Sequence, residues 1–131
     1  MNYTLNFAHL CDYASLSEGD KLNILGIFKN ISCEKDAAGS LLHPQMYVVT
    51  NISFEGKNKK YKEKIRIVNK ATSNTINKEL EFEVETTETI SEIGVIAQFN
   101  NIKFPNAGEY KIEIFVDDTL IKEIPLKIHS V

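Results

Sequence analysis

The chain has 131 residues, of which 43% are apolar and 25% are charged, as is typical of a soluble globular protein that folds as one domain. Its net charge of −3 and its single arginine, Arg66, argue against binding to nucleic acid or to an anionic membrane. No apolar run reaches the ~18 residues that a membrane span requires, and the first residues lack a basic stretch followed by an apolar one. We therefore expect a single cytoplasmic domain over residues 1–131, with Cys11 and Cys33 as free, buried thiols.

The first half of the chain has a hydrophobic period of two, which is typical of β-strands. Strands are predicted over residues 3–13, 22–31 and 46–56. In the second of these, LNILGIFKNI, apolar side chains occupy both faces, and this pattern predicts a central strand that is covered on both sides. Gly26 within it indicates a bulge or the close approach of a neighbour.

Residues 60–67 and 79–85 carry the clearest pattern, because lysines and Arg66 line one face of the first segment and glutamates line one face of the second. One antiparallel register satisfies both charge and burial. Its opposed pairs are Arg66 with Glu79, Lys64 with Glu81, Lys62 with Glu83, Lys60 with Glu85, Ile65 with Leu80 and Tyr61 with Val84. Glu63 does not fit, because this register places it opposite Phe82 on the apolar face. The basic run at 56–64 is therefore interpreted as a solvated strand face and not as a nucleic-acid patch.

The last part of the chain predicts a strand over residues 93–104, followed by a hairpin in GEYKIEIFVDDTLIKEIPLKIHS (residues 108–130) with its turn at Asp117 and Asp118. Pro125 cannot donate a hydrogen bond to a ladder, so the final strand should be an edge strand or carry a bulge. Seven to eight strands with turn signals between them predict an all-β fold. We expect a two-layer antiparallel β-sandwich of the immunoglobulin-like type.

No catalytic, metal or cofactor site is predicted. His9, His43 and His129 lie on three different predicted elements, and none belongs to a recognisable nucleophile motif. The motifs of zinc sites, calcium loops and phosphate-binding loops do not occur. Asp117 and Asp118 are interpreted as turn residues in preference to metal ligands.

His43 has the most distinctive setting of the three histidines, in the stretch LLHPQMYVV (residues 41–49). Because Pro44 follows it, its backbone is held extended. Two interpretations stay open. The ring either braces the strand entry through a hydrogen bond to a nearby backbone or polar group, or forms a polar binding pocket with Gln45 and Tyr47. A lone histidine is a weak site signal, so the brace is favoured.

Three stretches resemble a family of small, uncharacterised bacterial proteins that is known as a domain of unknown function. They are LCDYASLSEGDKLNILGIF (residues 10–28), HPQMYVV (43–49) and FPNAGEYKIEIFVDD (104–118). The resemblance covers nearly the whole chain and implies a single cytoplasmic immunoglobulin-like β-sandwich, with no established activity. Separately, AGEY resembles the tyrosine corner of immunoglobulin-like domains, with Tyr110 at the start of a strand.

These observations favour a non-enzymatic binding or interaction module without cofactors. We expect it to act through loop ends or an exposed strand edge on a protein partner, with self-association as one form of that contact. The alternative is a small-molecule or carbohydrate binder with a pocket near His43.

Overall fold

The computed structural model describes residues 2–131, and every regular element in that range is a β-strand. The nine strands are β1 (Tyr3–Ser17), β2 (Lys21–Ile27), β3 (Asn30–Lys35), β4 (Leu41–Phe54), β5 (Lys60–Asn69), β6 (Thr75–Glu85), β7 (Glu92–Phe104), β8 (Gly108–Val116) and β9 (Thr119–Ser130). Within the described residues there is no helix of the length and hydropathy needed to cross a membrane. The all-β prediction is confirmed.

The strands form one strongly curled sheet in the order β2-β1-β4-β3-β9-β8-β5-β6, and β7 pairs with β4. Every pairing is antiparallel except that of β3 with β9, so the prediction of a wholly antiparallel arrangement is wrong at this point. The cause is the path of β3. Residues 30–33 run parallel to β9, and Glu34 and Lys35 then pair with the start of β4. β3 thereby joins the two halves of the sheet.

The expected count of seven to eight strands falls short because residues 22–31 are two elements and not one. β2 ends at Ile27 and β3 begins at Asn30. The prediction of a central, covered strand is also wrong, since β2 stands at the end of the sheet and pairs only with β1. Gly26 adopts a φ of 69°, in the left-handed region that glycine tolerates, and this departure from extended geometry comes just before the strand ends.

The register predicted for β5 and β6 is confirmed from Lys60 opposite Glu85 to Ile65 opposite Leu80, and Glu63 lies opposite Phe82 as expected. Beyond Ile65 the register shifts at a bulge. For this reason the predicted pair of Arg66 with Glu79 does not form. Arg66 instead lies opposite Glu113 of β8, and its Nε is 2.7 Å from the carboxylate Oε1.

Pro125 is accommodated where β9 has a neighbour on one side only. It lies opposite Lys111 of β8, and the parallel pairing with β3 begins only at Lys127. A register shift between Ile114 and Phe115 supplies a bulge in the same hairpin. The prediction of an edge strand or a bulge is therefore confirmed for this half of β9, although its last residues are paired on both sides.

The main core combines side chains from two pairs of strands that do not pair with each other. Val48 and Phe99 come from the paired strands β4 and β7, and Ile67 and Ile112 come from the paired strands β5 and β8. A second cluster contains Cys11, Ala14, Tyr47 and Val49. Because Tyr47 and Val49 alternate with Met46 and Val48 along β4, this second cluster lies on the opposite face of the strand. Leu22 and Ile24 of β2 pack against it.

Two local predictions are confirmed by this packing. Cys11 and Cys33 are free and buried, and they belong to different clusters. Tyr110 is fully buried, and its hydroxyl donates a hydrogen bond of 2.7 Å to the carbonyl oxygen of Asn106, four residues upstream. That bond is the feature of a tyrosine corner.

Candidate functional site

Among residues 2–131, the strands β2, β6 and β7 each pair with one neighbour and so present an open long edge. Open edges invite pairing with other chains, and proteins protect them with charges, bulges or coverage. β6 is protected by charge, because five of its eleven residues are Lys or Glu. β7 is partly covered: the side-chain amide of Asn77 on β6 donates to the carbonyl oxygen of Asn100 at 3.2 Å, and its oxygen lies 3.5 Å from the backbone nitrogen of Lys103.

β2 lacks this protection. After Lys21 its residues are LNILGI, with no charged side chain. Leu25 and Ile27 are 61% and 57% exposed, which is unusual for large apolar side chains on a strand that also has an open edge. Gly26 is the one protective device, since its left-handed backbone interrupts the regular ladder.

The exposed apolar surface continues from β2 onto β1. Tyr13, which is 46% exposed, lies directly opposite Leu25, and Cys11 lies opposite Ile27. Directly opposite residues point to the same face of a sheet, so Tyr13 shares its face with Leu25. We call Tyr13, Leu25 and Ile27 the edge patch. It occupies the side of β1 and β2 that continues towards Tyr47 on β4.

Gly26 has a second constraint besides its backbone conformation. A Cβ atom at this position would collide with the side-chain carboxylate of Asp12 on β1. A larger residue would therefore require the Asp12 side chain to move, in addition to adopting a strained left-handed backbone. This close approach confirms the expectation that Gly26 marks either a bulge or a near neighbour.

The structure brings two of the three sequence-predicted site residues together and places the third apart. The side-chain amide of Gln45 donates to the hydroxyl of Tyr47 at 2.8 Å, and the Tyr47 ring packs edge-on against Tyr13 with centroids 5.4 Å apart. His43 instead packs edge-on against Phe28, with centroids 6.3 Å apart. Gln45 and Tyr47 therefore border the edge patch, whereas His43 contacts the segment between β2 and β3.

The His43 ring is half-buried, and its Nε2 is buried without a hydrogen-bond partner among the described residues. Burial lowers the pKa of His43, while the charge of Asp12 and a hydrogen bond with the backbone of Gln45 raise it in part. The neutral ring is therefore the form that suits this site. The contact with Phe28 and the bond to Gln45 are those that a brace would make, and the role of His43 stays a prediction.

A second surface feature is a cavity of about 300 Å³ between β8, β9 and the start of β3. Four lysines and two glutamates line it, namely Lys29, Lys70, Lys111, Lys127, Glu109 and Glu123. Two of the lysines already have carboxylate partners, since Lys70 lies 3.9 Å from Glu109 and Lys111 lies 3.3 Å from Glu123. Exposed pairs of this kind contribute little, and the remaining positive charge is weak.

Among the buried acidic residues in the described part of the chain, Glu63 is the one without a cationic partner. It is 1% exposed, and the hydroxyl of Thr50 donates a hydrogen bond of 2.6 Å to its Oε2. Burial raises the pKa of Glu63, and the Thr50 bond opposes that shift only in part. Because the Glu63 carboxyl is buried and is hydrogen-bonded to Thr50 of β4, we treat it as structural.

Residues 2–131 contain no group of three or more His, Cys, Asp or Glu side chains that is arranged to hold a metal ion. Sequence reasoning named the strand edge in general but missed β2 as its place. The signal was present in LNILGIF, where apolar residues on both faces fit a covered central strand and an uncovered edge strand equally well.

Comparison with known proteins gives a family and a distant structural likeness. No curated protein matches the chain. The crystal structure of an immunoglobulin-like protein from Pseudomonas aeruginosa is similar with a TM-score of 0.47 and 11% sequence identity, over 98% of both chains. A family model matches residues 6–129, nearly the whole chain, in agreement with the resemblance seen in the sequence. The chain therefore belongs to the family that this model describes, a family of unknown function (DUF6941).

Proposed function

We propose that this protein is a non-enzymatic interaction module that binds a protein partner through the open edge of β2. The observation that carries the proposal is that one edge of β2 is open, that the strand has no charged residue after Lys21, and that Leu25 and Ile27 on it are exposed. A partner strand added to such an edge gains main-chain hydrogen bonds, and the alternate side chains give specificity.

The edge patch supplies the apolar part of that contact. Fully burying a Leu or Ile side chain contributes about 1.5–3 kcal/mol. Tyr13 adds a rigid aromatic surface of the kind enriched at interfaces, with the hydrogen-bonded pair of Gln45 and Tyr47 beside it as a polar border. These gains must exceed the cost of association, which is several kcal/mol, so the main-chain pairing and the patch are both needed.

The same proposal includes the architecture and setting expected from the sequence. We propose that the curled sheet forms two packed layers, with β1, β2, β4 and β7 in one layer and β5, β6, β8 and β9 in the other. The main core supports this view, because it combines side chains of β4 and β7 with side chains of β5 and β8. Two free, buried thiols support a reducing compartment such as the cytoplasm. The net charge of −3 supports a partner that is a protein, with neither nucleic acid nor membrane involved.

A small-molecule or carbohydrate binder near His43 is the second candidate, and one observation favours it. Nε2 of His43 is a buried polar atom without a partner, which a ligand hydroxyl could satisfy. We favour the strand edge, because the His43 ring is covered by Phe28 whereas the edge patch is open.

Site-specific photo-cross-linking tests the proposal. A photoreactive phenylalanine analogue is placed at Leu25, and in a matched control at Leu120, which is 42% exposed on β9 away from the β2 edge. Irradiation in cells that carry the protein should give discrete adducts at position 25 and none at position 120. Equal adducts at both positions, or none at position 25, would overturn the proposal.

A further inference from the structure

We infer that the partner of β2 is a second copy of this chain, bound by antiparallel pairing of β2 with its symmetry mate; the inference rests on the proposed function. An isologous contact of this kind closes on itself and leaves no further open β2 edge. The opposite charges at the two ends of β2 support this occupant, and the length of β2 together with these charges favours one register.

The midpoint of β2 (Lys21–Ile27) is Ile24. When Ile24 lies opposite Ile24 of the second copy, the pairing spans all seven residues of each β2, with the left-handed backbone of Gly26 interrupting the ladder near each end. Directly opposite residues in an antiparallel ladder must lie on the same face of the sheet. The nearest alternative registers are therefore those in which the central residue moves by one position in either direction along β2. Each of these alternatives pairs only five residues of β2.

The charges at the ends of β2 agree with the centred register. The turn before β2 carries Glu18 and Asp20, and Lys29 follows its other end. All three side chains are exposed, and none takes part in a salt bridge within the described residues. The centred register brings Lys29, just past one end of β2, level with the turn of the second copy that carries Glu18 and Asp20, and symmetry repeats this contact at the other end.

The alternative register centred on Leu25 would set Lys21 opposite Lys29 of the second copy. Like charges directly opposite one another destabilise a strand pair. Charge therefore disfavours the register centred on Leu25, which the shorter pairing also disfavours.

Apolar contacts fill the middle of the centred arrangement. Ile24 meets its own copy, and Leu25 lies diagonal to Leu25 of the second copy, within the ~7–8 Å across which side chains still interact. Gly26 lies opposite Leu22, so the bulkier side chain meets a residue without a Cβ. The two edge patches then form one continuous apolar surface across the joined sheets.

Sedimentation velocity of the purified chain, from low micromolar to near-millimolar concentration, tests this inference. The wild type should form a dimer, and Leu25→Lys should be a monomer. Lys29→Glu and Glu18→Lys should each raise the dimer Kd by about 2- to 30-fold, as expected for two exposed ion pairs lost. The double variant should recover affinity, and Lys78→Glu, which reverses an exposed charge on β6, should behave as the wild type.

A wild type that stays monomeric throughout would overturn the second copy as partner. Cross-links from position 25 to another protein would in that case leave the proposed function standing, whereas their absence would remove both. A dimer that is insensitive to both charge reversals would overturn the register, and one that survives Leu25→Lys would overturn the role of β2. Circular dichroism of each variant confirms that any loss of association is not a loss of folding.

Discussion

The buried carboxyl of Glu63 should make the protein less stable as the pH rises, and Glu63→Gln should remove that dependence. Glu63 is 1% exposed and has Thr50 as its hydrogen-bond partner, and burial raises its pKa. In the unfolded chain the same carboxyl ionises near pH 4.5. Below that pH both states hold the proton, so Glu63 imposes no penalty. Stability is then lost as the pH rises from about 4.5 through the pKa of the folded state.

The size of the effect follows from linkage. At a pH above both values, each unit by which folding raises the pKa costs about 1.4 kcal/mol of unfolding free energy. Glutamine keeps the shape and accepts the Thr50 hydrogen bond but cannot ionise. Glu63→Gln should therefore resemble the wild type near pH 4 and exceed it in stability near pH 8. In a chain of this length, 1 kcal/mol corresponds to a change in Tm of about 4 °C.

Urea unfolding of both proteins between pH 4 and pH 9 measures the difference directly. Glu81→Gln is the matched control, because Glu81 lies opposite Lys64, in the next pair of the same ladder, but on the exposed face. Its stability should track that of the wild type at every pH. Parallel curves for Glu63→Gln and the wild type over the whole range would show that Glu63 is not buried as a neutral acid, and the reasoning would be wrong.

Three further predictions concern single side chains. His43→Ala should lower the unfolding free energy by about 1–2 kcal/mol near neutral pH, by loss of packing and a hydrogen bond; because burial lowers the pKa of His43, the loss should shrink as the pH falls below 6.5, and an unchanged Tm at neutral pH would refute the brace. Cys11 and Cys33 should resist alkylation in the folded chain and both react after unfolding without reductant, as mass spectrometry would show; a mass lower by two hydrogens and no reaction would contradict the free thiols. Tyr110→Phe should cost about 0.5–1.5 kcal/mol in urea unfolding through loss of the bond to Asn106, and an unaltered midpoint would refute the tyrosine corner as a stabilising feature.

The parts of the fold that the sequence predicts well are those in which two independent signals agree. The β5–β6 register rests on charge and burial together, and it is confirmed as far as Ile65. It fails at Arg66, because β6 advances four residues, from Leu80 to Ile76, where β5 advances two, and Glu113 on a third strand becomes the partner of Arg66. An irregularity of two extra residues leaves the period-two alternation unchanged, and a register worked out for two strands does not include a third.

The candidate site shows the limits of pattern more sharply. Apolar residues on both faces of a strand predict that both faces are buried. The sequence does not tell whether they are buried against the same chain or against a partner. In β2 the same chain covers Leu22 and Ile24 but leaves Leu25 and Ile27 open. Glu63 is the opposite case. Its misfit on an apolar face was visible in the sequence, whereas its partner Thr50 lies on β4, which is not paired with β5.

Hydrogen–deuterium exchange of the β2 amides at increasing protein concentration tests most directly whether the open edge of β2 is a contact surface between copies. Amides of residues 22–27 that point away from β1 should gain protection as the concentration rises, and those of β6, whose edge is charged, should not. In Leu25→Lys the β2 amides should exchange at the same rate at every concentration. Concentration-independent exchange of β2 in the wild type, or equal gains in protection on β6, would contradict the account.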